Sequence, residues 1–112
     1  MWEKFVDENG IPAEIGSEGG TIVVDEEYGS GTRITLEKGG AIAPYAITCG
    51  IYGCMCHTRF FSGLDEARQA YETMKPELEA ILEAWPSASD PDVDAKKERF
   101  FQAISDFVDR FP

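Results

Sequence analysis

Thr32-Arg33-Ile34-Thr35-Leu36-Glu37 alternates polar and apolar side chains from Arg33 onward. Period-two alternation is typical of a β-strand with one buried and one wet face, so Ile34 and Leu36 are expected to face a core. The β-branched run at residues 21–25 predicts a preceding strand. Residues 41–49 and 54–61 are predicted to form two more. The short, glycine-rich connections favour an antiparallel meander.

Two amphipathic helices are predicted after the strands. Apolar side chains recur every three or four residues from Leu64 to Trp85 and again between Val93 and Phe111. In the second of these, Phe100 is among the residues expected to be buried. Such stripes bury one side of a helix and leave the other side exposed to solvent. Both helices are therefore expected to cover the same face of the sheet.

Local signals predict where these helices begin. Ser62, followed three residues later by Asp65, resembles a capping box. Asp90-Pro91 places a good N-cap before a proline that suits the first helical position. Pro76 lies inside the first stripe, and because proline removes a backbone donor it predicts a kink or a break near residues 74–75.

The predicted fold class is α+β: a four-stranded antiparallel β-meander with two C-terminal helices packed on one face (ββββαα, two layers). A single domain is expected over residues 1–112, with an N-terminal arm (1–20), a sheet (21–61) and helices (62–112). In the arm, Trp2, Phe5 and Val6 are expected to form a short helical turn. The apolar fraction of 43% suffices for a core, so folding requires neither a disulfide nor a metal.

The chain is acidic, with a formal net charge of −11 that is unevenly distributed. Residues 41–61 contain no acid and one base, Arg59, whereas both flanks carry a large excess of acids. This charge disfavours nucleic-acid and anionic-membrane partners, and it suits a basic protein partner or simply solubility. The N-terminus lacks signal-peptide features, no apolar run could span a membrane, and three cysteines is an odd count for a secreted framework. We therefore expect a cytoplasmic protein.

All three cysteines and the only histidine fall between Cys49 and His57. Thiolates and imidazoles bind soft metals, attack electrophiles and sense redox state. If residues 50–53 form a hairpin loop, Cys49 and Cys54 face each other across two strands and Cys56 shares their side. His57 then points to the opposite face.

Several interpretations of this cluster remain open. Core packing is favoured, because free cysteine packs as a compact hydrophobe. Cys49, Cys54, Cys56 and His57 are a candidate zinc-ligand set, although their spacing is not a standard zinc form. Opposed Cys49 and Cys54 are a candidate redox pair. A Cys56–His57 nucleophile is disfavoured, since adjacent side chains on a strand point apart.

No catalytic constellation is evident, so the sequence predicts a non-enzymatic, cytoplasmic protein-binding or regulatory factor without a cofactor. Small acidic inhibitors of basic enzymes provide an analogy. The alternative is a thiol-based metal-binding or redox-sensing protein. His57 and Arg59 are expected on the uncovered sheet face, as a candidate interaction face. Adjacent Phe60 and Phe61 must point to opposite faces, which favours a homodimer that covers the exposed ring.

Overall fold

One antiparallel sheet and two helices make up the fold. The computed structural model describes residues 1–29 and 31–112. The strands lie in the order β1-β2-β3-β4-β5, and each is antiparallel to its neighbours. The predicted α+β meander with two C-terminal helices is confirmed, with one further strand. The elements are β1 (Trp2–Lys4), β2 (Thr21–Tyr28), β3 (Thr32–Lys38), β4 (Tyr45–Ile51), β5 (Met55–Phe61), α1 (Leu64–Glu83) and α2 (Val93–Arg110).

The additional strand, β1, replaces the helical turn expected in the N-terminal arm, so that prediction is wrong. Trp2 pairs with Tyr28 on β2, and their ring centroids lie 5.5 Å apart. The indole N–H of Trp2 also donates a hydrogen bond to Glu79 on α1. The edge of β2 offers backbone hydrogen bonds to an extended segment, and a single isolated helical turn has no comparable stabilisation.

The core lies between the sheet and the helices. Ile34 and Leu36 on β3 point into it, as the alternation predicts, and both are fully buried. Burial of such side chains contributes most of the favourable free energy of folding. The other buried core residues are Ile47, Cys49 and Ile51 on β4, Ala67, Tyr71, Met74, Leu78 and Ile81 on α1, Phe100, Ile104 and Phe107 on α2, and Phe111.

The helix starts differ from the predicted caps. The N-cap of α1 is Gly63, with no side-chain cap, so the capping box expected at Ser62 is wrong. The N-cap of α2 is Asp92 rather than Asp90. The carboxylate of Asp90 accepts the backbone N–H of Asp92 and pairs with Lys96 instead. Asp90 therefore fixes the turn that leads into α2, three residues before the helix begins at Val93.

Pro76 does not split α1, which runs from Leu64 to Glu83 as one helix. The proline itself is exposed, whereas Met74 and Leu78 on either side of it are fully buried. Continuous burial of this stripe outweighs the loss of one backbone hydrogen bond. Neither described helix has the length and apolarity that crossing a membrane requires.

A polar contact closes one side of the core between β2 and α1. The hydroxyl of Tyr71 and the ammonium of Lys75 donate hydrogen bonds to the Glu26 carboxylate, at 2.7 and 3.0 Å. Burial raises the pKa of Glu26, but these two donors outweigh it and hold the pKa below its ordinary value of 4.5. Burial, reinforced by Glu26, raises the pKa of Tyr71. Tyr71 is therefore a neutral donor here, and the contact is structural.

Candidate functional site

The pairing of β4 with β5 fixes the positions of the cysteines and the histidine. The turn spans Ile51–Cys54, closed by a 2.9 Å hydrogen bond from the Cys54 N–H to the Ile51 carbonyl. Gly53 has φ of 78°, as the third residue of a type II turn requires. Cys49 consequently lies opposite His57, and Gly50 lies opposite Cys56. The expected pairing of Cys49 with Cys54 is wrong.

This register separates the three thiols. Cys49 and His57 point toward the helices, Cys56 points to the other face of the sheet, and Cys54 sits in the turn. Cys49 is buried, whereas Cys54 and Cys56 are exposed and unpaired. Within the described residues no group of three or more Cys, His, Asp and Glu side chains is arranged to hold a metal ion. The zinc hypothesis is a prediction that only metal analysis can decide.

The environments of the thiols predict unequal reactivity. Burial, reinforced by the nearby Cys56, raises the pKa of Cys49 to about 12. We expect two thiols, Cys54 and Cys56, to react rapidly with a thiol reagent in the native protein, and Cys49 to react only after unfolding. Titration before and after denaturation measures this directly. Three rapid reactions in the native state would contradict it, and Cys49→Ser is the control that removes only the slow reaction.

His57 and Arg59 lie on the helix-covered face, so the expectation that they lie on the uncovered face is wrong. The Nε2 N–H of His57 donates to the carbonyl oxygen of Phe111. The guanidinium of Arg59 lies 5.2 Å from the Phe111 ring centroid and donates to the Pro112 carbonyl at 3.3 Å. Burial lowers the pKa of Arg59. Both side chains fasten the end of the chain to β5, which is a structural role.

The face of the sheet that points away from the helices, termed the outer face, holds a groove. Among the described residues it presents Asp25 and Glu27 on β2, Arg33, Thr35 and Glu37 on β3, Ala46, Thr48 and Gly50 on β4, and Cys56, Thr58 and Phe60 on β5. The groove has a volume of about 380 Å³ and is lined by Ile15, Ser17, Arg33, Thr48, Tyr52 and Cys56 among others.

The hydroxyl groups of Ser17 and Thr48 line this groove together with exposed apolar side chains. The oxygens of Ser17 and Thr48 are 2.9 Å apart, and those of Thr48 and Thr58 are 3.1 Å apart, so the three form one hydrogen-bonded chain. Ile15 is 64% exposed and Tyr52 is 51% exposed. A lining of apolar side chains with a few fixed polar groups is typical of binding sites.

Uncompensated acids surround the groove, although no carboxylate is among the described residues that line it. Its one cation on the described strands, Arg33, donates two hydrogen bonds to Asp25, at 2.9 and 2.7 Å. That contact raises the pKa of Arg33, which therefore stays charged and neutralised. Glu27 accepts a 2.9 Å hydrogen bond from Tyr52. The acids around the groove that pair with no described base include Glu3, Glu14, Glu18 and Glu27.

The groove exists because the arm folds back over β3. Glu37 is 1% exposed, and its carboxylate accepts the backbone N–H groups of Glu18 and Gly20 at 3.0 and 2.8 Å. A Cβ on Gly16 would lie 2.2 Å from the Glu37 carboxylate, so only glycine fits there. The wet face expected for Thr35 and Glu37 is therefore wrong: the arm buries it. No residue pattern in the arm marks this contact.

A second cavity lies on the other side of Ile15. It has a volume of about 760 Å³ between the arm and the β2 edge, and Phe5, Pro12, Val23 and Val24 contribute to its apolar lining.

Comparison of the chain with protein-family models, with curated proteins and with solved structures finds no match. The groove and its surroundings are therefore the features that bear on function.

Proposed function

We propose that this chain is a non-enzymatic protein-binding or regulatory factor of the cytoplasm, and that its partner is a positively charged protein. The observation that supports this is the groove on the outer face, which is lined by exposed apolar side chains and has uncompensated acids around it. Ile15 and Tyr52 offer the area that an apolar anchor would bury, and Glu14 and Glu27 offer charge to a basic flank.

The electrostatics favour this partner over others. The net charge is −11, and on the described strands the only basic side chain of the outer face already pairs with Asp25. A basic polypeptide would be steered to this face, and its association rate would fall as salt screens the attraction. The same field repels a nucleic-acid backbone.

Selection of peptides from a random displayed library tests the proposal. Peptides enriched on the wild-type protein are expected to combine Lys or Arg with a large apolar residue. Their binding should weaken about tenfold or more between low and physiological salt. Selected peptides that lack basic residues, or that bind equally at both salt concentrations, would contradict the proposal.

Two double variants locate the binding site. Glu14→Lys/Glu27→Lys reverses two charges beside the groove, and Glu72→Lys/Glu98→Lys reverses two exposed charges on the helices. Both change the net charge by the same amount, so a general charge effect weakens binding equally in the two proteins. We expect the first variant to lose peptide binding about tenfold more than the second. Equal losses would exclude the groove as the site.

A thiol-based function is the second candidate, and the exposure of both Cys54 and Cys56 favours it. Metal analysis and thiol titration of protein purified without chelator test it. Near-stoichiometric zinc that is lost in a Cys54→Ser/Cys56→Ser variant would support the metal hypothesis. Metal-free protein with every thiol reduced, and unchanged after mild oxidation, would exclude this second function.

A further inference from the structure

The two edges of the sheet are protected very differently. The β1 edge is three residues long and ends in Lys4. Beyond it, the arm bonds to β2, because the Phe5 N–H donates to the Asp25 carbonyl and the Ile22 N–H to the Glu14 carbonyl. Short edge strands, lysines and covering segments all prevent a sheet from pairing with another chain.

The β5 edge has none of these devices. The strand is seven residues long, contains no Gly, Pro or Lys, and keeps an unbroken register with β4 from the Tyr45–Phe61 pair to the Ile51–Met55 pair. Within residues 1–29 and 31–112, no backbone hydrogen bond outside the regular helices and strands involves residues 55–61. The outward N–H and C=O groups of β5 therefore have no backbone partner, and an extended segment could supply one.

We propose that β5 pairs antiparallel with β5 of a second copy of this chain, which joins two five-stranded sheets into one across a two-fold axis. With Thr58 on the axis, Phe60 of each copy lies opposite Cys56 of the other on the outer face. Phe60 is 43% exposed in the single chain, and this pairing would cover it. Threonine pairs and aromatic cross-strand contacts both stabilise antiparallel strands.

The charge distribution favours a second copy over the basic partner at this edge. Residues 41–61 contain no acid, so the repulsion between two chains of net charge −11 is weakest where these segments meet. A basic segment would find Arg59 here and no carboxylate on the strand. The dimer edge and the groove are therefore neighbouring surfaces that share Cys56 and have different partners.

The dimer is expected to be weak. One pair of seven-residue strands buries less surface than the roughly 1,200–2,000 Å² of stable complexes. We expect a dissociation constant on the order of 10–1,000 µM, which places the transition within the range of concentrated protein.

Sedimentation equilibrium over a wide concentration range tests the proposal. Wild-type protein is expected to approach the mass of two chains at high concentration. Phe60→Lys is expected to stay monomeric, because it removes the covered ring and places a charge on the edge. Phe101→Lys is the matched control: it changes a phenylalanine of comparable exposure on α2, 50% against 43%, and should still dimerise.

Cys56→Lys is a second edge variant, which keeps the test informative if Phe60→Lys does not fold, and it should also abolish dimerisation. A wild-type protein that stays monomeric at about 1 mM would overturn the proposal. So would a dimer that both edge variants retain. The groove variant Glu14→Lys/Glu27→Lys should leave the dimer intact. The dimer and the binding of a basic partner at the groove can therefore be disproved independently.

Discussion

Glu37→Ala is expected to lower the free energy of unfolding by about 2–3 kcal/mol and to release the arm from the sheet. The carboxylate of Glu37 is buried and accepts two backbone N–H groups, from Glu18 and Gly20. Alanine leaves both donors without an acceptor and opens a space beneath residues 16–20. Urea unfolding measures the loss of stability, since the transition midpoint moves with the free energy of unfolding.

The release of the arm has a separate readout. A protease specific for glutamate is expected to cleave after Glu14 and Glu18 much faster in Glu37→Ala than in the wild-type protein, because cleavage requires an extended, undocked segment. Because Ile15 and Ser17 line the groove, the same variant should lose peptide binding as well. Cleavage at the wild-type rate would show that other contacts hold the arm.

Two further variants separate the role of Glu37 from a general effect of lost charge. Glu27→Ala removes a carboxylate from the same face, and it costs only the exposed hydrogen bond with Tyr52, so less than about 1 kcal/mol is expected. Glu37→Gln keeps one acceptor oxygen and should fall between the wild-type protein and Glu37→Ala. Equal losses for Glu27→Ala and Glu37→Ala would contradict the argument.

The sequence was sufficient to predict the layers of the fold but not what covers the outer face. The alternation at Ile34 and Leu36 correctly indicates which side chains share a face. Whether the opposite face is wet depends on the arm, and the arm has three glycine breaks and no periodicity. The Glu37 carboxylate contacts the backbone N–H groups of Gly20 and Glu18, which lie 17 and 19 positions away in the sequence. Backbone N–H groups are common to almost every residue type, so the sequence does not reveal this contact.

The misplaced site has a specific cause in the β4–β5 turn. Gly50 and Gly53 are both suitable turn residues, and a loop over residues 50–53 uses both. The structure keeps Gly50 in β4 and uses only Gly53 for positive φ, which moves the partner of Cys49 from Cys54 to His57. That is a shift of an odd number of residues, so every side chain of β5 changes face.

The helices were more predictable because their signal extends over many residues. The buried residues of α2 all belong to the stripe read from the sequence, although the cap residues differ by a step or two. A stripe averages over five turns, whereas a cap or a two-residue turn depends on one competing local contact, such as Asp90 with Lys96. Hydrophobic periodicity decides the position of the stripe, and a single local contact decides the position of the cap.

Phe100→Ala is expected to have the largest effect of any single change, a loss of about 3–5 kcal/mol in the free energy of unfolding. Phe100 is 2% exposed, and its ring centroid lies 4.8 Å from that of Trp85 in an edge-to-face contact. Truncation removes the buried ring and leaves a cavity between α2 and the rest of the core. The total free energy of unfolding of a small domain is only about 5–15 kcal/mol, so this variant would be close to unfolding.

The neighbouring residue supplies the matched control. Phe101 is 50% exposed, and Phe101→Ala should cost less than about 1 kcal/mol although it removes the same side chain from the same helix. Measured in a Trp2→Phe background, Trp85 fluorescence reports the packing of Trp85 against the phenylalanines of α2, and far-ultraviolet circular dichroism reports the whole fold. Because α2 shares one core with β3, β4 and α1, both signals should change at the same urea concentration in Phe100→Ala. Separate transitions would show that α2 undocks before the sheet unfolds, and would disprove a single cooperative core.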